Sequence, residues 1–189
     1  MGLLSQLLFY AGTALDVALL IAIVHTGFTA VAPARRLAGL VLAAGAGLRA
    51  ATTVLSRLVL ALALSRLDRE VGMVLLQALY ILGAGVFWTS VATAAALLVR
   101  PATSTATPLS LLGSVGAGLV DLPRADPRAT AMLGAAAVIE LLRLLLWRVV
   151  ALLAGMLGAA GVGVVSLGLS VASAGLVIAA MRRLSRAAH

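Results

Sequence analysis

Five long apolar stretches, separated by short polar breaks, set the pattern of this chain. A helix needs about 20 apolar residues to cross a hydrocarbon core of ~30 Å, and each stretch reaches that length. The first runs from about Leu4 to Ala30 and ends ahead of Pro33 and the pair Arg35-Arg36. The second covers Leu37 to about Leu64. The third follows the charged turn Arg66-Leu67-Asp68-Arg69-Glu70 and runs from Val71 to Val99, where Arg100-Pro101 stops it. The fourth starts after Asp126-Pro127-Arg128 and covers Ala129 to about Leu153. The fifth runs from about Gly161 to Met181, before Arg182-Arg183. The pattern predicts an all-α fold: a polytopic transmembrane helical bundle of five spans in a single integral membrane domain. The N-terminal MGLLSQ lacks the charged n-region of a signal peptide and is read as the start of the first span.

No charged residue separates the last two stretches. Only Ala154 to Gly163, AGMLGAAGVG, lies between them. Glycine accepts the positive φ that a tight turn needs, so the tract is expected to break and turn back near Gly155–Gly163. The alternative is one long kinked helix. Residues 100–128 form the one long loop in this reading. Its start, PATSTATP, should be extended. Its middle, LSLLGSVGAGLV, is too short to cross; it is expected to fold against the bundle as a loop, with a re-entrant or interfacial piece as the alternative.

Composition supports a membrane setting. The chain is 63% hydrophobic and 11% charged, with a mean hydropathy of +1.18, whereas soluble domains carry about 25% charged residues. The net charge of +8 comes from arginine alone, because the sequence contains no lysine. Most of these arginines sit at the ends of apolar stretches, which argues for topology and against nucleic acid. With five spans, one side holds Arg35, Arg36, Arg100, Arg124, Arg128, Arg182, Arg183 and Arg186, and the other holds Arg66 and Arg69. The positive-inside rule then places the C-terminus in the cytoplasm and the N-terminus outside, in a multi-pass protein of the cell membrane. With no cysteine and two histidines, thiolate and His-based metal sites are not expected, and nothing calls for a cofactor.

Four ionisable residues interrupt the apolar stretches near their middles: Asp16, Arg49, Glu140 and Arg143. A charge in hydrocarbon costs at least ~2.5–3.5 kcal/mol on the insertion scale, so each needs a partner or a purpose. The four share a depth and their formal charges cancel. They are expected to form a midplane charge network, with Arg49 at its centre reaching a carboxylate on span one or span four. His25, Thr53, Arg57 and Arg148 are the candidates for a polar pathway continuing from it. No nucleophile–base motif surrounds Ser5, Ser56 or Ser90, and no catalytic residues are expected.

Small residues recur at four-residue spacing in span two (Gly39, Ala43, Gly47) and span five (Ser166, Ser170, Ala174, with Gly168 and Ala172 on the adjacent stripe). Such faces let helices approach closely, within the monomer or toward other membrane helices. The expectation is a non-enzymatic integral membrane protein acting in a membrane assembly, either a homo-oligomer or a heteromeric complex, with the bilayer as its surroundings and the charge network as a register lock. The alternative is a small channel or transporter that conducts protons or small anions through the same network.

Overall fold

The computed structural model describes residues 3–66, 69–100 and 107–188. Among these residues every regular element is helical. The chain runs through α1 (Leu3–Thr26), a π-helical turn (Gly27–Val31), the short α2 (Ala32–Ala34), α3 (Arg36–Arg66), α4 (Arg69–Val99), α5 (Pro108–Ala125) and α6 (Pro127–Ala187). Four described stretches are long and apolar enough to cross a membrane: Tyr10–Ala34, Arg36–Val59, Val74–Val99 and Gly163–Ala187.

The first reversal is set by Pro33. A proline inside a helix removes one N–H and presses its ring on the carbonyl four residues back. The helix widens just ahead of it into the π-turn, where the Ala32 N–H donates to the Gly27 carbonyl. Such wide turns absorb local helix strain. Arg35 is then extended, at φ −148° and ψ 101°, and α3 starts in a new direction. Tight contacts follow at small residues. A Cβ at Gly27 would lie 3.0 Å from the Gly39 carbonyl, and one at Gly45 would collide with Ser90. Gly39 and Ala43 are buried, while Gly47 faces open space. Most of the small-residue face of α3 is therefore used inside the bundle.

Residues Pro127–Ala187 form one continuous run of α-helix, 61 residues long. As a straight rod it would measure about 90 Å, three times the hydrocarbon thickness. It is not straight. Ser173 Oγ donates to the Ala136 carbonyl at 3.2 Å, although a rod would hold those residues about 55 Å apart. Arg183 Nε donates to Asp126 Oδ2 at 2.6 Å. Both contacts are symmetric about the same point, between Ala154 and Gly155. The helix is thus doubled back into two antiparallel limbs. One expectation needs correction. Helical geometry is not interrupted between Ala154 and Gly163; it continues through the bend. Glycine eases a sharp bend, and the Ala, Leu and Met residues among these glycines favour helix.

The region from 100 to 128 also differs from the expected loop. Pro108–Ala125 is an 18-residue helix. Thr107 caps it by accepting from the Ser110 N–H at 3.3 Å, and Pro108 takes the first helical position, where its missing N–H costs nothing. Its close approach to α4 is at Gly118, where a Cβ would meet the Ala96 backbone, and Leu122 is buried. The first part of that loop, 101–106, lies outside the described residues, as do Leu67 and Asp68 of the charged turn. Asp126 then starts α6. Its Oδ1 accepts from the Arg128 and Ala129 N–H groups at 3.1 and 3.0 Å. The hydrogen bond from Ala129 does most to hold this carboxyl below the usual carboxylate range; burial opposes it and Arg183 reinforces it.

The apolar core gathers toward the arginine-rich end. It includes Val31, Leu42, Val91, Leu98, Leu122, Ala129, Val177, Met181 and Leu184. Spin labels on cysteines replacing Arg128 and Arg182 should report a separation near 20 Å by double electron–electron resonance, an interaxial distance plus two label tethers. A straight helix would put them about 80 Å apart.

Candidate functional site

The four midplane charges come from three elements: Asp16 on α1, Arg49 on α3, and Glu140 and Arg143 on the first limb of α6. The structure brings all four together. Arg143 Nη2 donates to Asp16 Oδ2 at 2.9 Å, and Arg143 Nη1 donates to Glu140 Oε2 at 3.3 Å. Arg49 Nη2 donates to Glu140 Oε1 at 3.3 Å. The chain of contacts is therefore Asp16–Arg143–Glu140–Arg49. Arg49 and Glu140 are buried, and Asp16 and Arg143 are half-buried. Arg143 lies one helical turn from Glu140 and covers the same face. It holds both acids, so Arg143 rather than Arg49 is the hub. Arg49 does reach span four, but Asp16 is taken by Arg143.

A fourth helix joins through Tyr80, which is not among the candidates drawn from the sequence. The Tyr80 carbonyl on α4 accepts from Arg49 Nη1 at 2.7 Å. The Tyr80 hydroxyl donates to Glu140 Oε1 at 3.4 Å. The Arg49 guanidinium also lies over the Tyr80 ring, 4.3 Å from its centroid, which adds a cation–π attraction that desolvation strengthens. Gly83 leaves the room for this: a Cβ there would lie 3.2 Å from Arg49 Nη1 and collide with Thr52. A Tyr one turn ahead of a glycine, on a span facing a buried arginine, was the available signal.

The candidates for a pathway are placed unevenly. Thr53 is half-buried beside the network, but its hydroxyl donates to the Arg49 carbonyl at 2.8 Å. Thr52 and Ser56 likewise donate to carbonyls of their own helix. Arg57 is half-buried, within electrostatic reach of Asp16 and Arg143. His25 is exposed on the outer surface of the bundle and does not join the cluster. Its carbonyl accepts from Thr29, so the polar run around His25 satisfies its own helix. The Arg148 side chain lies outside the described residues.

Beside the network is a cavity of about 50 Å³. Asp16, Arg49, Thr53, Glu140, Arg143, Ser170 and Ser173 line its polar side, and Leu19, Leu20, Ile23, Phe87, Ala174 and Val177 line the rest. There is room for water, which needs only about 10–15 Å³ of such space, and the polar groups needed to hold it are present. Toward the arginine-rich end the space closes on apolar side chains. Ile23 is 1% exposed and Val177 is fully buried. The arrangement can hold charge, hold water and exchange hydrogen bonds. Compared with known protein families, curated proteins and solved structures, the chain gives no match.

Replacing Arg143 strips both acids of a partner, whereas replacing Arg49 leaves Glu140 held by Arg143 and Tyr80. Breaking a buried pair from one side costs about 3–5 kcal/mol. R143A should therefore lose that much stability to unfolding in detergent, and more than R49A loses. Adding D16A to R143A should recover part of the loss. Purely additive singles and doubles would show that the residues are not coupled.

Proposed function

We propose that this chain is a non-enzymatic, multi-pass protein of the cell membrane that acts within a membrane assembly, and that its midplane charge network locks the helices it presents there. The observation that carries this reading is the pairing within the network. Each acid is engaged by an arginine, the four charges cancel, and the chain of contacts ties α1, α3, α4 and α6 at one level. Paired charges of this kind are costly to break and fix register. The doubled α6 supports a fifth span, with its first limb crossing beside α1, α3, α4 and the second limb. The eight arginines at one end against two at the other support a cytoplasmic C-terminus and an external N-terminus.

The outer face of the second limb supports the assembly. Gly168, Ala172, Gly175 and Ala179 are all exposed, and a Cβ at Gly168 or Gly175 would meet nothing within 4 Å. A stripe of small residues lets another membrane helix approach closely, from a second copy or a different chain. In mild detergent the protein component should weigh more than the 19.0 kDa monomer by light scattering. G168L/G175L should return it to that mass while it stays folded. A monomeric wild type would exclude a second copy as the partner.

The cavity beside Asp16 and Glu140 supports a second reading, in which the network conducts protons or small anions. The apolar layer of Ile23, Val91 and Val177 below it favours the first. Liposomes containing the protein should show proton and chloride flux no greater than empty ones. Flux present in wild type and abolished in D16N would overturn the structural role.

A further inference from the structure

The arginine-rich end of the bundle carries more positive charge than its own acids can meet. The α3 start, the α4 end, the α5–α6 junction and the α6 end converge there. Its two acids are already engaged: Arg100 Nε meets Asp121 Oδ2 at 2.6 Å, and Arg183 Nε meets Asp126 Oδ2 at 2.6 Å. Arg36, Arg124, Arg128, Arg182 and Arg186 remain exposed. Among the described residues none of the five has a carboxylate within 4.0 Å. Two of them are also placed against the local field. Arg36 opens α3 and Arg128 lies in the first turn of α6, where the positive end of each helix dipole disfavours a cation. An anion would relieve both.

The neighbouring helix says which kind of anion. One face of α5 packs on α4, and another carries Leu109, Leu112 and Val120, which are 82%, 70% and 68% exposed. At 3.6 residues per turn these share one side, and Arg124 lies on the last turn beside it. A soluble anion would meet the arginines and leave this row in water. A lipid meets both needs.

We propose that acidic phospholipids occupy this surface, with headgroup phosphates on Arg124 and Arg128 at the α5–α6 junction, Arg182 and Arg186 beside them, and acyl chains along Leu109, Leu112 and Val120. The proposal rests on the chain being embedded in a bilayer. Native mass spectrometry tests the headgroups, using the full chain in mild detergent with equal phosphatidylglycerol and phosphatidylcholine of the same chain length. Wild type should retain phosphatidylglycerol in preference. R124Q/R128Q should weaken that preference about five-fold per charge removed, and R66Q/R69Q at the other end should leave it unchanged. Equal retention of both lipids by wild type, or an unchanged preference in R124Q/R128Q, would overturn the headgroup site.

The acyl contact has its own test, which leaves every arginine in place. The chain has no cysteine, so L112C carries a single nitroxide. In phosphatidylglycerol vesicles it should be more accessible to oxygen than to a water-soluble nickel chelate. V171C, on the exposed face of the second α6 limb, separates the two ways of failing. Oxygen preference at V171C with nickel preference at L112C would leave the bundle embedded and refute the lipid-seated α5. Nickel preference at both would refute the membrane reading on which the proposal rests.

Discussion

An ionised group shut away from water must find its counter-charge inside the protein, and here that constraint falls on Arg143. Its guanidinium engages Asp16 of α1 and Glu140 of its own helix. Glu140 passes the constraint to Arg49, and Arg49 passes it to the Tyr80 carbonyl and ring. The planar fork of arginine suits this, since its two terminal nitrogens can serve two carboxylates at once. A lysine offers a point charge with no such fork. Each contact fixes the rotation of a helix as well as its depth, because a turn of 100° about the axis of α1, α3 or the first limb of α6 would carry a charge from the interior toward lipid.

The doubling of α6 makes the rest of this arrangement geometrically necessary. Its first limb supplies the two charges, and its second supplies Ser170, Ser173, Ala174 and Val177, which close the cavity beside them. Small residues matter at this seam. Ala136 and Ser173 let the limbs come within one hydrogen bond, a contact worth about 0.6 kcal/mol in a membrane. At the far end, Asp126 both caps the first limb and holds Arg183 of the second. The two limbs are thus pinned at the midplane and at one end.

Much of this was legible in the sequence, and the failures have physical causes. Long apolar stretches give helices and their approximate ends, because length and hydropathy are one-dimensional quantities. Cancellation among Asp16, Arg49, Glu140 and Arg143 was also readable, since depth follows from position. Which acid meets which arginine depends on helix rotation, which depth does not encode; Asp16 therefore went to Arg143 although Arg49 was the equally deep candidate. His25 shows the same limit, as it has a suitable depth and the wrong face. Helix α5 was missed for another reason. Its apolar middle was too short to cross, and its Thr107-Pro108 start was read as part of an extended proline-rich loop, although a Thr cap followed by Pro is also a helix opening.

The two ends of the bundle are built differently, and the network sits at the border between them. Below it, toward the arginine-rich end, Val31, Leu42, Val91, Val177 and Met181 are buried. Above it, the described parts of α3 and α4 turn Leu55, Leu58, Val74 and Leu75 outward. In a bilayer, hydrocarbon gives no hydrophobic force to hold helices together, so close side-chain packing would have to do so below. Above, where fewer described side chains are buried, the pairing of Arg49 with Glu140 and Tyr80 takes over that task. A polar cluster at such a border need not be a route for anything. Its position follows once the helices must be tied where their packing ends and the charges that tie them must remain out of lipid.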